Sequence, residues 1–402
     1  MLKLGVFYLK LNILILKLLY FFTFGLIIVN SIGDKYSFNL YASTCISMLY
    51  IILFFFRINK TKVKKNNMGN LLLIIAIYIS TTIVSGLIID IEKFPSVLFN
   101  IIPYLALICL IIDFENKNFA AEIFYFTCKI YVFVAVFSIV MFFLGYSKVE
   151  FTISNFFSFI PTEQYINEFG EGRLSGFFSH KTRYAVFCLI GITFFLINEK
   201  YTTVKKFIYI MLLLINIYLS DSMTVLFASM ITILFFVDPK KINKNLKIVL
   251  YIITLFIIVI LSGSFIAELL DNRNIYTLGA RKYIWQAAIE YIGYHPFGVV
   301  MITEENYLYT SYYGNWPFTN AHNHFLNEFI QYGFIGGLLF ILFYMKISRM
   351  MVILNKKLLG FFLSMILVCM MESSLSYEML YVFLYGSIVI IYKEKNKNSS
   401  RV

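Results

Sequence analysis

Long apolar runs separated by short polar segments extend along almost the whole chain. A helix needs about 20 apolar residues to cross the hydrocarbon core of a bilayer, and runs of that order recur throughout the sequence. The pattern therefore predicts an all-α, polytopic membrane protein of about 12 transmembrane helices. We place these helices near residues 12–30, 38–56, 69–90, 95–112, 120–145, 183–198, 205–220, 222–237, 246–265, 333–349, 357–374 and 376–392.

Residues 205–237 are predicted to form two helices joined by a turn. The segment is too long for a single span, and the polar triplet Ser220-Asp221-Ser222 interrupts it. Lysine pairs lie at both of its ends, at positions 205–206 and 240–241. Positive charges on the same side at both ends indicate a hairpin, because cytoplasmic connections collect Lys and Arg.

Lys and Arg collect in alternate connections along the rest of the chain as well. With the N-terminus inside, the inner connections hold the basic runs 57–65 and 240–247 and the tail from Lys393. The short outer connections then hold only Lys35 and Lys93. By the positive-inside rule, this asymmetry predicts that both termini are cytoplasmic.

The same orientation places two long loops on the extracytoplasmic side, residues 146–182 and residues 266–332. The second loop, between the ninth and tenth helices, is predicted to be partly helical. No repeat or low-complexity linker divides the sequence, so residues 1–402 are predicted to form a single integral membrane domain. The two loops contain all four histidines, His180, His295, His322 and His324. This concentration of titratable groups indicates chemistry in the loops, and the alternative is that the loops are simply polar surface.

Composition narrows the class of protein. Hydrophobic residues make up 60% of the chain, charged residues make up 14%, and the mean hydropathy is +0.79, which excludes a soluble domain. The formal charge of +12 does not indicate nucleic acid binding, because most Lys and Arg fall in short runs between apolar segments. The five cysteines lie within apolar stretches, so no disulfide framework is predicted. The N-terminus has no small-residue cleavage site, so we interpret it as a retained first helix.

The first long loop ends in the motif Gly172-Arg173-Leu174-Ser175-Gly176. An Arg between glycines at a membrane interface can present its planar fork of donors to a phosphate, and the glycines allow close backbone approach. Arg173 is therefore predicted to bind substrate phosphate, and Arg183 is a second candidate. For Arg183, anchoring on lipid head groups is an equal alternative.

The second long loop contains a segment around residues 280–292 with apolar residues on one helical face. A helix lying on the membrane surface there would hold Arg281 and Trp285 at head-group depth, where pyrophosphates sit. The segment closes with the turn His295-Pro296-Phe297-Gly298. Further on, His322 lies just before the tenth helix. It is a candidate general acid or base, with a structural hydrogen-bonding role as the alternative.

Taken together, these motifs resemble the bacterial O-antigen polymerase and O-antigen ligase superfamily, the Wzy-type and WaaL-type membrane glycosyltransferases. The resemblance covers residues 170–340 by motif and the rest by hydropathy. Its motifs are Arg173-x-x-Gly176, Arg281-x-x-x-Trp285 with the following His295-Pro296-x-Gly298, and His322-Asn323 separated by nine residues from Gly333-x-x-Gly336.

The resemblance implies a C-type glycosyltransferase-like fold and an inverting glycan transfer from an undecaprenyl-pyrophosphate donor to a sugar hydroxyl. The reaction would occur at the outer face of the bacterial inner membrane, with no metal or other cofactor. Arg173 and Arg281 would hold the pyrophosphate leaving group, and His322 would accept the proton of the acceptor hydroxyl. The predicted substrate-binding set also includes Arg183, Trp285, Asn323 and His295.

The implied partners are the undecaprenyl-pyrophosphate-linked oligosaccharide, membrane lipids, and a chain-length regulator and a flippase of the same pathway. Polymerase is the preferred interpretation, because the composition rich in Phe, Tyr, Ile, Lys and Asn is typical of polymerases. The His-Asn spacing is typical of ligases, which transfer the glycan to lipid A-core. The alternatives of lipopolysaccharide and capsule as the product stay open.

Two further alternatives come from charged residues elsewhere. Asp90 and Glu92 at the outer end of the third helix could hold Mg²⁺ or Mn²⁺, as outer-loop acidic pairs do in other lipid-donor glycosyltransferases. Lys129, deep in the fifth helix, could pair with a carboxylate or line a substrate groove, whereas Lys17 and Glu122 are near enough to helix ends to snorkel. The alternative function of another class is a transporter or flippase of lipid-linked glycans. Such a protein would more often place its charges inside the bundle.

Overall fold

The computed structural model describes most of the predicted spans. The predicted third and ninth helices fall largely outside the described residues, as do Asp90 and Glu92. The described residues are 2–25, 38–58, 72, 75–77, 79–80, 83, 94–116, 120–150, 158–163, 173–178, 180–237, 281–299, 308–310, 316–318, 320–372, 375 and 377–399.

These residues are mostly helical, and every predicted span other than the third and ninth overlaps one helix. α1 begins at Leu2, well before its predicted start at residue 12, because a helix can continue into the head-group region beyond the hydrocarbon core. The helices are α1 (Leu2–Gly25), α2 (Phe38–Ile58), α3 (Phe94–Asn116), α4 (Ala120–Phe143), α5 (Lys181–Ile197), α6 (Thr203–Leu219), α7 (Met223–Phe236), α8 (Arg281–Tyr294), α9 (His324–Leu354), α10 (Leu358–Met371) and α11 (Tyr377–Ser399).

The predicted break between the seventh and eighth spans is confirmed. α6 ends at Leu219 and α7 begins at Met223, with the polar triplet forming the turn between them. The Ser220 hydroxyl donates to the Ile217 carbonyl at 2.7 Å, which closes the end of α6. Asp221 has a φ of 51°, in the left-handed region that Asp and Asn adopt more readily than most residues.

α9 contains a sharp kink at Gly333, where φ is 68° and ψ is −171°. Residues 324–332 form one short helical piece and the following residues form the long one. The sequence-based prediction began the tenth helix at residue 333, whereas helical backbone reaches back to His324. The first piece makes tertiary contacts that the hydropathy pattern does not reveal, since Ile330 packs in one cluster with Ile284 and Ala288 of α8.

Two short antiparallel strand pairs lie in the two long loops, so the all-α prediction is incomplete. They are too short for an alternating sequence pattern to reveal them. In the first pair, Val149 lies opposite Phe159, and in the second pair Tyr309 lies opposite Pro317. The strands are β1 (Tyr146–Glu150) with β2 (Ser158–Pro161), and β3 (Leu308–Thr310) with β4 (Trp316–Phe318).

Small residues bring neighbouring helices close together. Gly360 of α10 packs against Phe235 of α7, and a Cβ added to Gly360 would lie 2.5 Å from the Phe235 Cβ. Nearby, the Thr232 hydroxyl donates to the Ser364 hydroxyl at 2.9 Å. Close approach at small residues and hydroxyl hydrogen bonds between helices are how helices associate in lipid, where the hydrophobic effect does not drive them together.

Two of the described helices are long and apolar enough to cross a membrane. These are α4 and α9, with mean hydropathies of 2.2 and 1.8 over their most apolar stretches. Shorter apolar helices, with only 10–17 such residues each, lie at Thr44–Phe56, Ile101–Phe114, Met223–Phe236 and Leu358–Met371. The count of about 12 spans and the orientation of the termini stay predictions.

Candidate functional site

The segment that carries Arg173 is fixed by backbone hydrogen bonds on both sides. Leu174 N–H donates to the Leu219 carbonyl at 2.9 Å, at the end of α6, and Ser175 N–H donates to the Ser147 carbonyl of β1 at 2.9 Å. Gly176 has a φ of 57°, and a Cβ there would lie 2.6 Å from the Ser138 hydroxyl. The glycine of the Arg-x-x-Gly motif is thus required by backbone conformation and by space.

Arg173 and Lys181 share one carboxylate, that of Asp221 in the α6–α7 turn. Arg173 Nε lies 3.3 Å from Asp221 Oδ2, and Lys181 Nζ lies 2.8 Å from the same oxygen. Lys181 also donates to the Asp221 backbone carbonyl at 3.1 Å. Among the described residues of this cluster, two cations face one carboxylate, and a net positive charge suits a phosphate.

His180 lies between these cations and the second loop. Its Nδ1 accepts a hydrogen bond from Thr182 N–H at 3.2 Å, so the ring caps α5 and must be unprotonated at that nitrogen. Desolvation, together with the positive charges of Arg183 and Lys181, lowers the pKa of His180 to about 4. His322 and Arg173 also contribute to this lowering of the pKa.

Arg281, the first residue of α8, forms an ion pair with Glu372, the residue that follows α10. Arg281 Nη2 donates to Glu372 Oε1 at 2.8 Å, and the two side chains are only 18% and 20% exposed. One turn further along α8, the Trp285 indole N–H is buried and has no hydrogen-bond partner in the described part of the chain. A buried donor without a partner costs free energy, so it is a candidate contact for a ligand.

His322 directly precedes the cap of α9, with a φ of 46° that few residues other than glycine adopt. Its N–H donates to the Asn320 side chain at 2.9 Å, and Asn327 Oδ1 accepts from Ala321 N–H at 2.8 Å. Asn323 Oδ1 accepts from Leu326 N–H at 3.2 Å, so this predicted substrate-binding side chain caps the helix. Together these contacts hold His322 in its unusual conformation.

The imidazole of His322 interacts with groups from both loops. Desolvation lowers its pKa below the ordinary value; the Glu372 carboxylate opposes this change and the Arg281 charge adds to it. Since His322 also acts on the pKa of His180, a group of the second loop influences a group of the first loop electrostatically. Residues about 150 positions apart therefore lie within electrostatic reach of one another, which sequence alone did not show.

His295 lies in a turn that docks onto the kink of α9. Its ring stacks on Tyr291 with 4.2 Å between ring centroids, and its Nδ1 lies 3.1 Å from the Tyr291 carbonyl. Phe334 N–H donates to the Pro296 carbonyl at 2.8 Å. Two of the sequence motifs, His-Pro-x-Gly and Gly-x-x-Gly, are thus in direct contact, while the substrate-binding role of His295 stays a prediction.

Gly298 and Gly333 meet at this contact. Their φ angles are 86° and 68°, and a Cβ on Gly298 would lie 2.5 Å from the Gly333 nitrogen. A Cβ on Gly333 would lie 2.4 Å from the Pro296 carbonyl oxygen. No residue with a side chain fits either position without moving backbone, so these motif glycines hold α8 against α9.

Two carboxylates of the site, Asp221 and Glu372, had no role in the sequence-based prediction of the site. Asp221 lies in the turn between two predicted helices and Glu372 in the last turn of another, and a position at the outer end of a helix was the only available signal. Arg183 has an intermediate exposure and contributes through its charge to the low pKa of His180. Within the described ranges, no group of three or more His, Cys, Asp or Glu side chains is arranged to hold a metal ion.

The comparisons with known proteins agree with the predicted resemblance. Residues 208–341, about a third of the chain, match a family model described as O-antigen ligase. The match spans α6, α7, α8 and the start of α9, and therefore includes Asp221, Arg281 and His322. No curated protein matches the chain. The match supports the O-antigen ligase and polymerase superfamily, whose members are integral membrane proteins of glycosyltransferase type.

Proposed function

We propose that this protein is a glycosyltransferase that polymerises a lipid-linked polysaccharide repeat unit at the outer face of the bacterial inner membrane. The donor would be an undecaprenyl-pyrophosphate-linked glycan and the acceptor a second lipid-linked repeat unit. The observation that best supports this proposal is the Arg281–Glu372 ion pair at 2.8 Å, both of whose charges act on the pKa of His322. His322 in turn acts on the pKa of His180 in the first loop, so a neutral imidazole lies within electrostatic reach of both segments.

The cations suit the leaving group. When the glycosidic bond of the donor breaks, its electron pair goes to the lipid pyrophosphate, whose negative charge increases. The guanidinium of Arg281 carries five N–H donors on three nitrogens. Its Nη2 contacts Glu372, and the N–H groups of the other two nitrogens would donate to phosphate oxygens. Arg173 and Lys181 would bind the same pyrophosphate from the other loop, with Arg183 nearby. Fixed cations in a partly desolvated site stabilise such charge better than water does.

The imidazole suits the base step. Because the pKa of His322 is lowered, the ring is neutral at pH 7 and can accept a proton. His322 would take the proton of the acceptor hydroxyl while its oxygen bonds to the anomeric carbon and the bond to pyrophosphate breaks. A single displacement of this kind inverts the anomeric configuration and requires no metal. The Trp285 indole N–H would donate to a sugar or phosphate oxygen.

Ligase activity is the second candidate function, and the family model itself favours it, since its description is O-antigen ligase. A ligase would use the same donor and transfer the glycan to lipid A-core. The two candidates differ only in the acceptor. An assay with both acceptors therefore separates them.

The test uses the full-length protein purified in detergent, with a polyprenyl-pyrophosphate oligosaccharide as donor. The expected product is a ladder of longer lipid-linked chains when the donor also serves as acceptor. His322→Ala and Arg281→Ala should each reduce the initial rate by about 10²-fold or more. Lys282→Ala is the matched control, because Lys282 is exposed, also basic and next to Arg281 on α8. This variant should keep the wild-type rate.

Each failure has a distinct meaning. Transfer only to lipid A-core would replace polymerase by ligase. No transfer to either acceptor, combined with movement of lipid-linked glycan across proteoliposomes, would favour a transporter or flippase. Wild-type rates in the His322 and Arg281 variants would reject the proposed site. The similarity to the O-antigen ligase family would not be affected.

A further inference from the structure

A cavity of about 450 Å³ opens between α1, α4 and the residues that follow α5. Its charged lining residues are Lys17, Glu122, Lys129 and Lys200, and its apolar walls include Tyr125 and Phe126. None of these residues belongs to the glycosyltransfer site proposed above.

The cavity lies at the end of the bundle opposite that site. Glu122 is near the start of α4, whereas the other end of α4 leads into β1, which bonds to the Arg173 segment. A 24-residue helix is about 35 Å long. Lys200 likewise follows the end of α5, and His180 caps its beginning. The predicted orientation makes this the cytoplasmic end.

The cavity carries an excess of positive charge. Lys17 forms an ion pair with Glu122 and also lies over the Phe126 ring, 5.5 Å from its centroid. The Lys200 ammonium lies 4.2 Å from the centroid of the Tyr125 ring. Among the lining residues, three ammonium groups against one carboxylate leave a net charge of about two positive units, so the cavity suits an anion. Glu199 next to Lys200 also acts on Tyr125, but its charge is offset by an ion pair with Lys397.

An apolar stripe continues from the cavity along α4. Lys129 is exposed, and on the same helical face follow Phe133, Val136 and Val140, which are 52%, 45% and 50% exposed. The spacing of four, seven and eleven residues from Lys129 places them on one line. An ammonium on so apolar a helix is costly to keep there and often marks a functional position.

We propose that this cavity binds an anionic glycerophospholipid of the surrounding leaflet. The phosphate would contact Lys129, Lys17 and Lys200, and an acyl chain would lie along the stripe of Phe133, Val136 and Val140. The complementarity is twofold, since charge lies at one end and apolar surface at the other. A free phosphate would satisfy only the charged part, and a zwitterionic lipid would satisfy mainly the apolar part.

The test compares lipids added to the full-length protein in a neutral detergent, with thermal stability as the readout. Dioleoyl-phosphatidylglycerol should raise the melting temperature with a saturable dependence on concentration, and dioleoyl-phosphatidylcholine should do so far less. Lys129→Gln should raise the half-saturating lipid concentration about fivefold, which is the effect of one cation near a lipid surface. Glu122→Gln should lower this concentration, because the substitution frees Lys17 from its ion pair.

Lys205→Gln is the matched control, because Lys205 is exposed at the same end of the bundle but outside the cavity. It should leave the half-saturating concentration unchanged. Equal effects of the Lys129 and Lys205 variants, or equal stabilisation by both lipids, would overturn the proposal. Two further arms identify the source of the phosphate. Stabilisation by inorganic phosphate alone, or tighter saturation by undecaprenyl phosphate than by phosphatidylglycerol, would also overturn it.

Discussion

Arg281 Nη2 donates a hydrogen bond to Glu372 Oε1 at 2.8 Å, across 91 residues of sequence. The pair connects the first turn of α8 with the end of α10, and both of its charges act on the pKa of His322. Glu372 raises that pKa and Arg281 lowers it, while desolvation lowers it most. Glu372 is therefore a positioning residue for Arg281 and a modulator of the proposed base.

Replacing Glu372 by Gln should move the acid limb of the pH–rate profile to lower pH. A neutral His322 is required for the base step, so the rate falls as pH drops through the pKa of His322. Removing the carboxylate removes the contribution that raises this pKa, and the pKa falls further. The measurement is the initial transfer rate from pH 4.5 to pH 8. An unchanged limb in a folded variant would contradict the role of His322 as base.

Two substitutions should separate the charge role of Asp221 from its backbone role. Asn at this position retains a side-chain acceptor and tolerates the φ of 51°, but it does not hold Arg173 by charge. We expect Asp221→Asn to keep the melting temperature and to raise the KM for the pyrophosphate donor several-fold. Asp221→Ala should lower both stability and activity. Equal donor KM in the Asn variant and in the wild type would reject the positioning role.

The contact between the two motif glycines should be intolerant of any side chain. Gly298→Ala or Gly333→Ala would place a Cβ within 2.5 Å of backbone at a positive φ, and we expect a loss of about 2 kcal/mol or more of stability. Two controls separate the causes. Gly293→Ala, on α8 with open space around it, should be neutral, and Gly145→Ala should show the cost of its φ of 89° alone. Thermal unfolding in detergent measures all four.

The stability of the folded protein should decrease as pH falls from about 6.5 to 4, because of the titration of His180. Its pKa is about 4 in the folded protein, so between these values the unfolded chain binds more protons and unfolding becomes more favourable. His180→Asn keeps a side-chain acceptor for the cap of α5 but does not titrate. This variant should show a flatter dependence of melting temperature on pH. A profile identical to the wild type would show that another group carries the effect.

The candidate site was only partly accessible to sequence reasoning. Arg173, Arg281 and His322 stood out because Arg and His are rare in so apolar a chain and because each belongs to a motif of the resemblance. Asp221 and Glu372 did not stand out, because carboxylates in short outer connections usually face solvent. Asn323 was predicted to bind substrate, and in the structure its Oδ1 caps α9. The side-chain NH2 can still donate to a ligand, so the cap and the predicted substrate contact are compatible and the substrate contact stays a prediction.

The sequence by itself determined the membrane character of this protein, its helical segments and the α6–α7 turn. These features depend on transfer of apolar side chains into lipid and on local backbone preferences, both of which act within about 20 residues. Only the tertiary structure decided that Glu372 meets Arg281, that the His-Pro-x-Gly turn packs on the Gly333 kink, and that His322 comes within electrostatic reach of His180. Such contacts join residues distant in sequence, and their geometry follows from how the helices pack, which no local pattern encodes.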